Sequence, residues 1–432
     1  MGFTSMMNKI SRNDISVFFI CVLIFALPFT TYLLSYGVIF AFIATLFQTD
    51  FKQKFLKTFK NKGFLVIVAF YLLHVLGLLY TNNINRGLIN LQVKLTLVLI
   101  PFIVFISSNS INKHLKLITY TFVAGNLLAG IICLVISFSV SFQSGIFNPS
   151  LYPGYSDWPF MKLLTSGYTH FNYSFLSHFI HVNYFSMYLL LATYIIYREL
   201  IDKWLILGTG KKVVLFGIIS FFLILLLLLQ SRAATLSFLI IALIEIIFFL
   251  RKPGYLGVKV IAFTFFISLI ILIVFKSGRF IRVTESMQDF NYEKLREKEL
   301  RISLWESSFS QIRLHPLFGV GTGDVKDEYN KFYEKRFKEK TNGRYYDAHN
   351  EFLQTAMRLG LTGCLALLFL IFWPLIDRNI YRLMPRYVFF FIIIITVNFS
   401  FESMLNRFNG VIFFSLFFSL LVSKKFEIKT GY

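Results

Sequence analysis

The stretch FFLILLLLLQSRAATLSFLIIALIEIIFFL, residues 221–250, indicates which class of fold this chain adopts. Two long apolar runs flank the polar residues Gln230, Ser231 and Arg232. An α-helix needs roughly 20 apolar residues to cross the hydrocarbon core of a bilayer, and each run approaches that length. The stretch therefore predicts two membrane-spanning helices joined by a very short loop.

Similar runs recur over most of the 432 residues, of which 56% are hydrophobic and 19% aromatic. No soluble domain of this size needs so many of them. The chain is therefore predicted to be an all-α polytopic membrane protein with about twelve transmembrane helices. The predicted helices lie near Ile15–Thr30, Leu33–Phe47, Gly63–Tyr80, Leu88–Ile106, Leu115–Val140, Val182–Tyr197, Val213–Gln230, Ala233–Leu250, Val260–Phe275, Leu361–Ile376, Tyr387–Phe399 and Val411–Val422.

The distribution of Lys and Arg predicts the orientation of these helices, because short cytoplasmic loops carry an excess of positive charge. A cytoplasmic N-terminus puts the lysine-rich stretch 52–62 on the cytoplasmic side and makes the C-terminus cytoplasmic too. The short loops predicted on the outer side then hold only Arg86, Lys162, Arg232 and Arg407.

One hydrophilic block, approximately residues 277–350, interrupts the apolar pattern and divides the chain into three predicted parts. Residues 1–276 hold helices 1–9 and an aromatic-rich outer loop at 141–181. Residues 277–360 form a large, mostly helical outer loop, which is the expected catalytic part. Residues 361–432 hold helices 10–12 and a cytoplasmic tail.

The net charge of +21 raises the question of a nucleic-acid partner. About half of this charge follows from the predicted topology, and the rest faces the outer side. Membrane lipids with anionic headgroups and phosphorylated lipid substrates are therefore the expected partners, and nucleic acid is not.

The hydrophilic block has its own helical pattern. The apolar stripe Ile302, Trp305, Phe309 and Ile312 has helical spacing, and Arg301 lies beside it. The helix should end before Pro316, with a flexible glycine turn following. We expect Asp347 to cap a further helix that has His349 and Asn350 in its first turn and ends near Gly360. The nearby acidic residues Asp324, Asp327 and Glu328 are interpreted as a solvated face rather than a metal site.

Two basic residues fall at membrane depth, where a charge is costly unless it faces protein, water or an anion. Arg232 directly precedes the next apolar run. A functional contact between Arg232 and an anion is the preferred interpretation. Lys94 lies inside a predicted helix, about two turns from its outer end. It either lines the same cavity or extends to the membrane surface.

Several motifs follow one another in an order that resembles the O-antigen ligase and O-antigen polymerase superfamily of bacterial inner-membrane glycan enzymes. The similarity runs from about the third helix to the C-terminus, and the glycine-and-histidine stretch is its most specific part. The motifs are Ser231-Arg232, Arg301 with Trp305, His315-Pro316-Leu317-Phe318-Gly319-Val320-Gly321, His349-Asn350 with Phe352-Leu353, Gly360-Leu361-Thr362-Gly363, and Ser400-Phe401-Glu402-Ser403-Met404-Leu405 with Gly410.

This resemblance implies a multi-pass glycosyltransferase of the bacterial inner membrane that acts on the periplasmic face. Its donor would be a glycan on undecaprenyl pyrophosphate, and its acceptor a hydroxyl of lipid A–core or of another glycan. An O-antigen ligase is the preferred reading, and an O-antigen or exopolysaccharide polymerase is the alternative. A lipid-linked glycan flippase without enzymatic activity is a third possibility.

The reaction needs cations for the leaving diphosphate and a base for the acceptor hydroxyl. Arg232 and Arg301 are assigned to the first task, because guanidinium groups bind phosphate oxygens in pairs and stay charged. His349 is assigned as the base, since the pKa of imidazole lies near neutral pH. Asn350, Lys94 and Glu402 are assigned to substrate binding. A structural role is assigned to His315, Pro316, Gly319 and Gly321, and neither a metal nor another cofactor is expected.

Overall fold

The computed structural model describes residues 12–143, 170–171, 173–251, 300–337 and 346–423 of the chain. All regular structure within these ranges is helical. The prediction of an all-α protein is therefore confirmed. The predicted helix Val260–Phe275, most of the aromatic-rich loop at 141–181 and the beginning of the hydrophilic block lie outside the described residues.

The helices are numbered here in chain order. The first part of the chain holds α1 (Arg12–Ala26), α2 (Thr31–Leu46), α3 (Phe51–Thr58), α4 (Lys62–Leu76), α5 (Ile84–Lys94), α6 (Thr96–Ile106), α7 (Ser108–Lys113), α8 (Leu115–Gln143) and α9 (Tyr173–Leu176). The second part holds α10 (Val182–Asp202), α11 (Thr209–Leu229), α12 (Arg232–Leu250), α13 (Leu300–Leu314), α14 (Val325–Phe337), α15 (Glu351–Ile376), α16 (Arg378–Leu383), α17 (Pro385–Phe401) and α18 (Phe408–Val422).

Five helical segments of the described chain are long and apolar enough to cross a membrane, and α2 with α3 would make a sixth if this pair, bent by 115°, is one span. The predicted total of about twelve is therefore not confirmed. One physical reason is length, because α4, α17 and α18 are apolar but too short to cross a bilayer of about 30 Å as straight helices. The five segments are Ile84–Ile106, Leu115–Gln143, Thr209–Leu229, Arg232–Leu250 and Glu351–Ile376.

Aromatic side chains fill the interior between α10, α17 and α18. The rings of Tyr188 and Phe413 stack with centroids 4.9 Å apart. Phe399 and Phe414 join α17 to α18 at a centroid distance of 5.6 Å. Because aromatic pairs at such distances add stabilisation beyond the burial of their area, these contacts fix how the three helices lie against each other.

The hydrophilic block packs on the beginning of α15 through a small apolar cluster of its own. Within it, the hydroxyls of Ser308 in α13 and Tyr329 in α14 are hydrogen-bonded at 2.7 Å. The hydrophilic block is therefore packed directly against α15. The cluster consists of Leu304, Val325, Tyr329, Tyr346, Ala348 and Met357.

Two glycines interlock the glycine motif with α15. Gly319 and Gly360 both have φ of +68°, a region that favours glycine. A Cβ atom on Gly319 would lie 2.5 Å from the carbonyl carbon of Arg358, and one on Gly360 would lie 2.2 Å from the carbonyl oxygen of Leu317. The N–H of Gly321 donates to the carbonyl of Arg358 at 3.0 Å. The motif therefore needs glycine because two backbones meet here.

The prediction that this helix ends near Gly360 is confirmed, because Gly360 has φ +68° and ψ −168°, outside helical geometry. A second helical stretch follows directly, so α15 consists of two helices joined across a kink at Gly360. The kink is tolerated because the N–H of Leu361 finds a replacement acceptor in the carbonyl of Pro316 at 2.8 Å.

The other side of the glycine motif docks on the turn between α4 and α5. The Thr322 hydroxyl donates to the carbonyl of His74 at 2.6 Å. The Asp324 carboxylate accepts the backbone N–H groups of Asn82 and Asn83, both at 2.7 Å. The interpretation of Asp324 as part of a solvated face is therefore wrong, since its exposed fraction is 5%.

Candidate functional site

Three helices begin close together at one end of the bundle. Asn183, in the first turn of α10, donates from Nδ2 to Oε2 of Glu402 at 3.1 Å. Its Oδ1 accepts the hydroxyl of Ser231, the N-cap of α12, at 3.2 Å. Asn350, the N-cap of α15, donates from Nδ2 to the carbonyl of Ser400 at 3.3 Å. The positive ends of three helix dipoles thus converge.

A fourth helix, α18, begins at the same place. The Tyr188 hydroxyl donates to the carbonyl of Asn409 at 3.1 Å, and a Cβ atom on Gly410 would lie 3.0 Å from Cε1 of Tyr184. Arg407 occupies the N-cap position of α18, and its side chain makes no capping bond. The N-cap residues of these four helices are referred to below as the N-cap cluster: His181, Ser231, Asn350 and Arg407.

His349 lies next to this cluster in an unusual backbone conformation. Its φ is +46°, which few residues other than glycine adopt. Asp347 holds this conformation, because its Oδ1 accepts the N–H of His349 at 2.8 Å. The imidazole Nδ1 lies 3.5 Å from Oε1 of Glu402 and 3.6 Å from Oδ1 of Asp347. Backbone strain that the surroundings maintain is common at functional sites.

The two carboxylates favour a charged imidazole. The contact with Glu402 raises the pKa of His349; burial opposes this effect, and the negative charge of Asp347 reinforces it. Burial alone would raise the pKa of Glu402, but the contact with His349 outweighs it and lowers that pKa. At 3.5 Å the contact is long for a hydrogen bond, so we describe it as an ion pair that also has hydrogen-bonding character.

The hydrophilic block contributes Arg301 and Trp305 to the site. Trp305 donates from Nε1 to the carbonyl of Ala348 at 2.8 Å and so fixes the residue before His349. Arg301 is half-buried, and its charge acts on His349, where it opposes the larger effect of Glu402. Arg301 and His349, which the sequence analysis assigns to one reaction, therefore lie near each other.

Two of the charged side chains that act on His349, Glu402 and Arg301, also act on His181. Burial lowers the pKa of His181, and the positive charges of Arg407, His349 and Arg301 lower it further against the effect of Glu402. Glu402 and Arg407 come from one segment of the chain and His349 and Arg301 from two others, so their shared influence on one imidazole indicates that they surround a common space.

Three arginines border this space without a carboxylate at ion-pair distance among the described residues. Arg232 is exposed at the first position of α12, Arg407 is exposed at the start of α18, and Arg301 is half-buried in α13. Three other arginines, by contrast, are paired with Asp327, Asp202 and Glu245: Arg86, Arg198 and Arg386. The three guanidinium groups are therefore available to an external anion.

Two predicted substrate-binding residues already have partners within the protein. The Oδ1 of Asn350 accepts the N–H of Leu353 at 3.1 Å, as an N-cap side chain does. Lys94 has no exposed surface, and its Nζ donates to the carbonyl of Leu405 at 2.6 Å. The expectation that Asp347 caps this helix is wrong, because α15 starts at Glu351 and Asn350 is its cap.

His315 and Pro316 follow the end of α13, and the carbonyl of His315 accepts the N–H of Gly319 at 3.0 Å. The described contacts bring His349 and Glu402 together, with Arg301 acting on His349. Arg232 directly follows Ser231, whose hydroxyl donates to Asn183. The motif from His315 to Gly321 instead packs against the backbone of α15.

Asp347, His349 and Glu402 also have the spacing of a metal site. One ligand atom from each lies within 4.8 Å of the others. A protonated Nδ1 of His349 between the two carboxylates would account for this spacing without a metal ion. Asp327, the other acidic candidate, is ion-paired with Arg86. The absence of a metal stays a prediction.

A cavity of about 370 Å³ lies elsewhere, between α10, α11, α12 and α17. Its lining is apolar apart from a few groups such as Tyr194, Glu245 and Arg386. These residues belong to the C-terminal parts of α10 and α12 and the start of α17, away from the N-cap cluster. The cavity does not contain the chemistry described above.

The sequence-based reasoning missed Asn183 and Arg407. Asn183 connects three groups, but its bond to Glu402 spans 219 positions of the chain, and no local pattern indicates it. Arg407 was recognised as a basic residue of a short outer loop, which is the same pattern that drew attention to Arg232. Applying that argument to both residues would have found it.

We predict that Glu402→Gln destabilises the protein more at pH 6 than at pH 9. Since the folded state raises the pKa of His349, the ion pair stabilises fully below the unfolded imidazole pKa of about 6.5 and is lost as the pH rises through the folded value. Thermal melting of the purified protein at both pH values measures the difference.

Glu199→Gln is the matched control, because Glu199 pairs with Lys203 at 2.7 Å and a lysine stays charged over this range. Its effect on the melting temperature should be similar at both pH values. A Glu402→Gln effect that is equal at both pH values, or larger at pH 9, would contradict the assignment of the pair.

Two comparisons with known proteins show what this chain is similar to. An uncharacterized protein of Haemophilus influenzae is 32% identical over 79 residues, which are 17% of this chain; the chain spans only 19% of that relative's length. Residues 216–368 match the family model described as O-Antigen ligase, and this range includes Arg232, Arg301 and His349. Over these residues the match agrees with the resemblance to the O-antigen ligase and polymerase superfamily that the sequence motifs indicated.

Proposed function

We propose that this protein is a glycosyltransferase that moves a glycan from undecaprenyl pyrophosphate to an acceptor hydroxyl. The reaction would occur at the periplasmic face of a bacterial inner membrane, with both chain termini in the cytoplasm. One observation carries the proposal. The imidazole of His349 lies beside two carboxylates and near Arg301 and Arg407, and Arg232 adjoins Ser231 of the N-cap cluster. None of the three arginines has a carboxylate at ion-pair distance among the described residues.

The electrostatics of this space suit a diphosphate. Backbone N–H groups at helix N-termini favour anions, and the N-cap cluster collects four such ends. Guanidinium groups bind phosphate oxygens through paired hydrogen bonds and keep their charge at any physiological pH. Arg232, Arg301 and Arg407 would therefore hold the leaving diphosphate from three sides and stabilise the charge that develops on it.

His349 would act as the base. Its Nδ1 faces Glu402 and Asp347, which leaves Nε2 for the substrate. The acceptor oxygen attacks the anomeric carbon, its proton passes to Nε2, and the bond from that carbon to the diphosphate oxygen breaks with the electron pair leaving on the diphosphate. The two carboxylates stabilise the imidazolium that forms, as in other acid–base arrangements of this kind.

Lipid A–core is the proposed acceptor, which makes the protein a ligase. A polymerase would use the same donor and the same base with a growing glycan as acceptor. Deletion of the gene followed by a lipopolysaccharide gel separates them: accumulated lipid-linked polymer with a bare core indicates the ligase, and a core with one repeat unit indicates the polymerase. Unchanged lipopolysaccharide and normal lipid-linked glycan would contradict both.

We predict that replacing any of the three arginines by alanine lowers kcat by roughly 10²–10³, because each stabilises charge on the leaving group. His349→Gln should lower kcat by about 10²–10⁴, the usual contribution of a positioned base. Turnover of a purified lipid-linked donor in proteoliposomes measures these losses.

Arg378→Ala is the matched control, since Arg378 is also exposed but follows the C-terminal end of α15, whereas His349 precedes its N-terminal end. Its turnover should equal that of the unmodified protein. Near-normal turnover of His349→Gln would remove the assigned base. A chelator should leave turnover unchanged, and a strong loss would instead favour a metal held by Asp347, His349 and Glu402.

A further inference from the structure

The proposed reaction leaves three buried charged residues unexplained. Lys94, Glu351 and Arg358 have exposed fractions of 0%, 0% and 1%. Lys94 ends α5, whereas Glu351 and Arg358 lie two turns apart in α15. Removing such charges from water costs several kcal/mol each unless they are paired and hydrogen-bonded. These three residues are named the buried charge cluster.

The buried charge cluster holds one short segment of the chain. Glu351 accepts the N–H of Leu405 on Oε2 at 2.7 Å, and Lys94 donates from Nζ to the carbonyl of the same residue at 2.6 Å. Arg358 donates from Nη2 to Oδ1 of Asn406 at 2.8 Å. The backbone N–H and carbonyl of Leu405 thus bind side chains of opposite charge, one from α15 and the other from α5.

This segment carries two residues of the proposed site. Glu402 lies three positions before Leu405, and Arg407 lies two positions after it. The opposite anchor is equally close to the site, because Glu351 is two positions after His349. The buried charge cluster therefore connects the helix start that carries His349 to the segment that carries its carboxylate partner.

Stability alone does not explain such a cluster. Buried ionic groups are often no more stabilising than apolar residues of the same volume, and their best-documented use is to select one arrangement among several. Leu405 also packs in the apolar core, and Asn350 donates to the carbonyl of Ser400, but the buried charge cluster supplies the bonds to both backbone groups of Leu405.

We propose that Lys94, Glu351 and Arg358 form a positioning element that sets the distance between Glu402 and His349. It does so by clamping Leu405 and Asn406 against the start of α15. The proposal rests on the proposed function only where it treats His349 as the base. The clamp itself is defined by contacts within the protein.

The test is the protonation of His349 in the purified full-length protein. Diethyl pyrocarbonate modifies neutral imidazole, and peptide mass spectrometry of residue 349 gives the pH midpoint of its reaction. The double variant Lys94→Met/Glu351→Gln removes one positive and one negative charge, so the net charge of the cluster is unchanged. Glu351→Gln alone is the second variant.

We expect both variants to lower the midpoint by about 0.5–1 pH unit, because Glu402 would no longer be held beside the imidazole. The groups whose charges act on His349 are Glu402, Asp347 and Arg301, and His181 lies in the same space. Glu402→Gln is the positive control and should lower the midpoint at least as far.

Glu245→Gln is the negative control. Glu245 is a partly buried carboxylate that contacts Arg198 and Arg386 at 3.8 Å and 3.7 Å, far from the N-cap cluster. It should leave the midpoint unchanged. A merely structural role for the buried charge cluster would reduce the yield of folded protein without moving the midpoint of the molecules that fold.

An unchanged midpoint in folded Lys94→Met/Glu351→Gln overturns the proposal, and a lowered midpoint supports it. If Glu351→Gln does not accumulate, the double variant decides, since it keeps the net charge of the cluster the same as in the unmodified protein. The assay needs no glycan donor. A lowered midpoint together with a wild-type protein that transfers no glycan would therefore reject the proposed function and leave the positioning role intact.

Discussion

One carboxylate, Glu402, is the interaction on which the arrangement of the site depends. One of its oxygens accepts from Asn183 at 3.1 Å and the other lies 3.5 Å from His349, so a single side chain joins α10 to the residue before the cap of α15. Asn183 extends the connection to Ser231 and hence to Arg232. A carboxylate that is almost fully buried must have such partners, and this requirement assembles the site.

The charges of the site form a consistent pattern. Helix N-termini and three arginines make the space positive, whereas Glu402 and Asp347 supply negative charge only where an imidazolium would form. In an apolar surrounding these effects are stronger than in water, because the low dielectric screens them little. An anion that enters the space would contact the arginine side chains, with the imidazole beside them. This is the arrangement that the proposed transfer from a diphosphate requires.

The sequence predicted the all-helical fold well, but it predicted poorly which side chains contact each other. Apolar runs indicated the helices, but the predicted number of membrane spans is not confirmed, because the chain bends between α2 and α3 and several apolar helices are short. Arg301 and His349 were found through a family motif, not through spacing. The cap of α15 was misassigned because Asp347 and Asn350 are both good cap residues, and only the positive φ of His349 decides between them. The buried position of Lys94 depends on Leu405, which is 311 positions away.

The account requires the N-cap cluster to face the outer side of the membrane, and cysteine labelling tests this most directly. In a chain with Cys21, Cys133 and Cys364 replaced by alanine, Arg232→Cys, Arg407→Cys and Arg378→Cys would each be exposed to a membrane-impermeant thiol reagent on intact spheroplasts. The account predicts labelling at positions 232 and 407, and at position 378 only after the membrane is opened. Labelling at 232 or 407 only after opening would place the site in the cytoplasm and contradict the account.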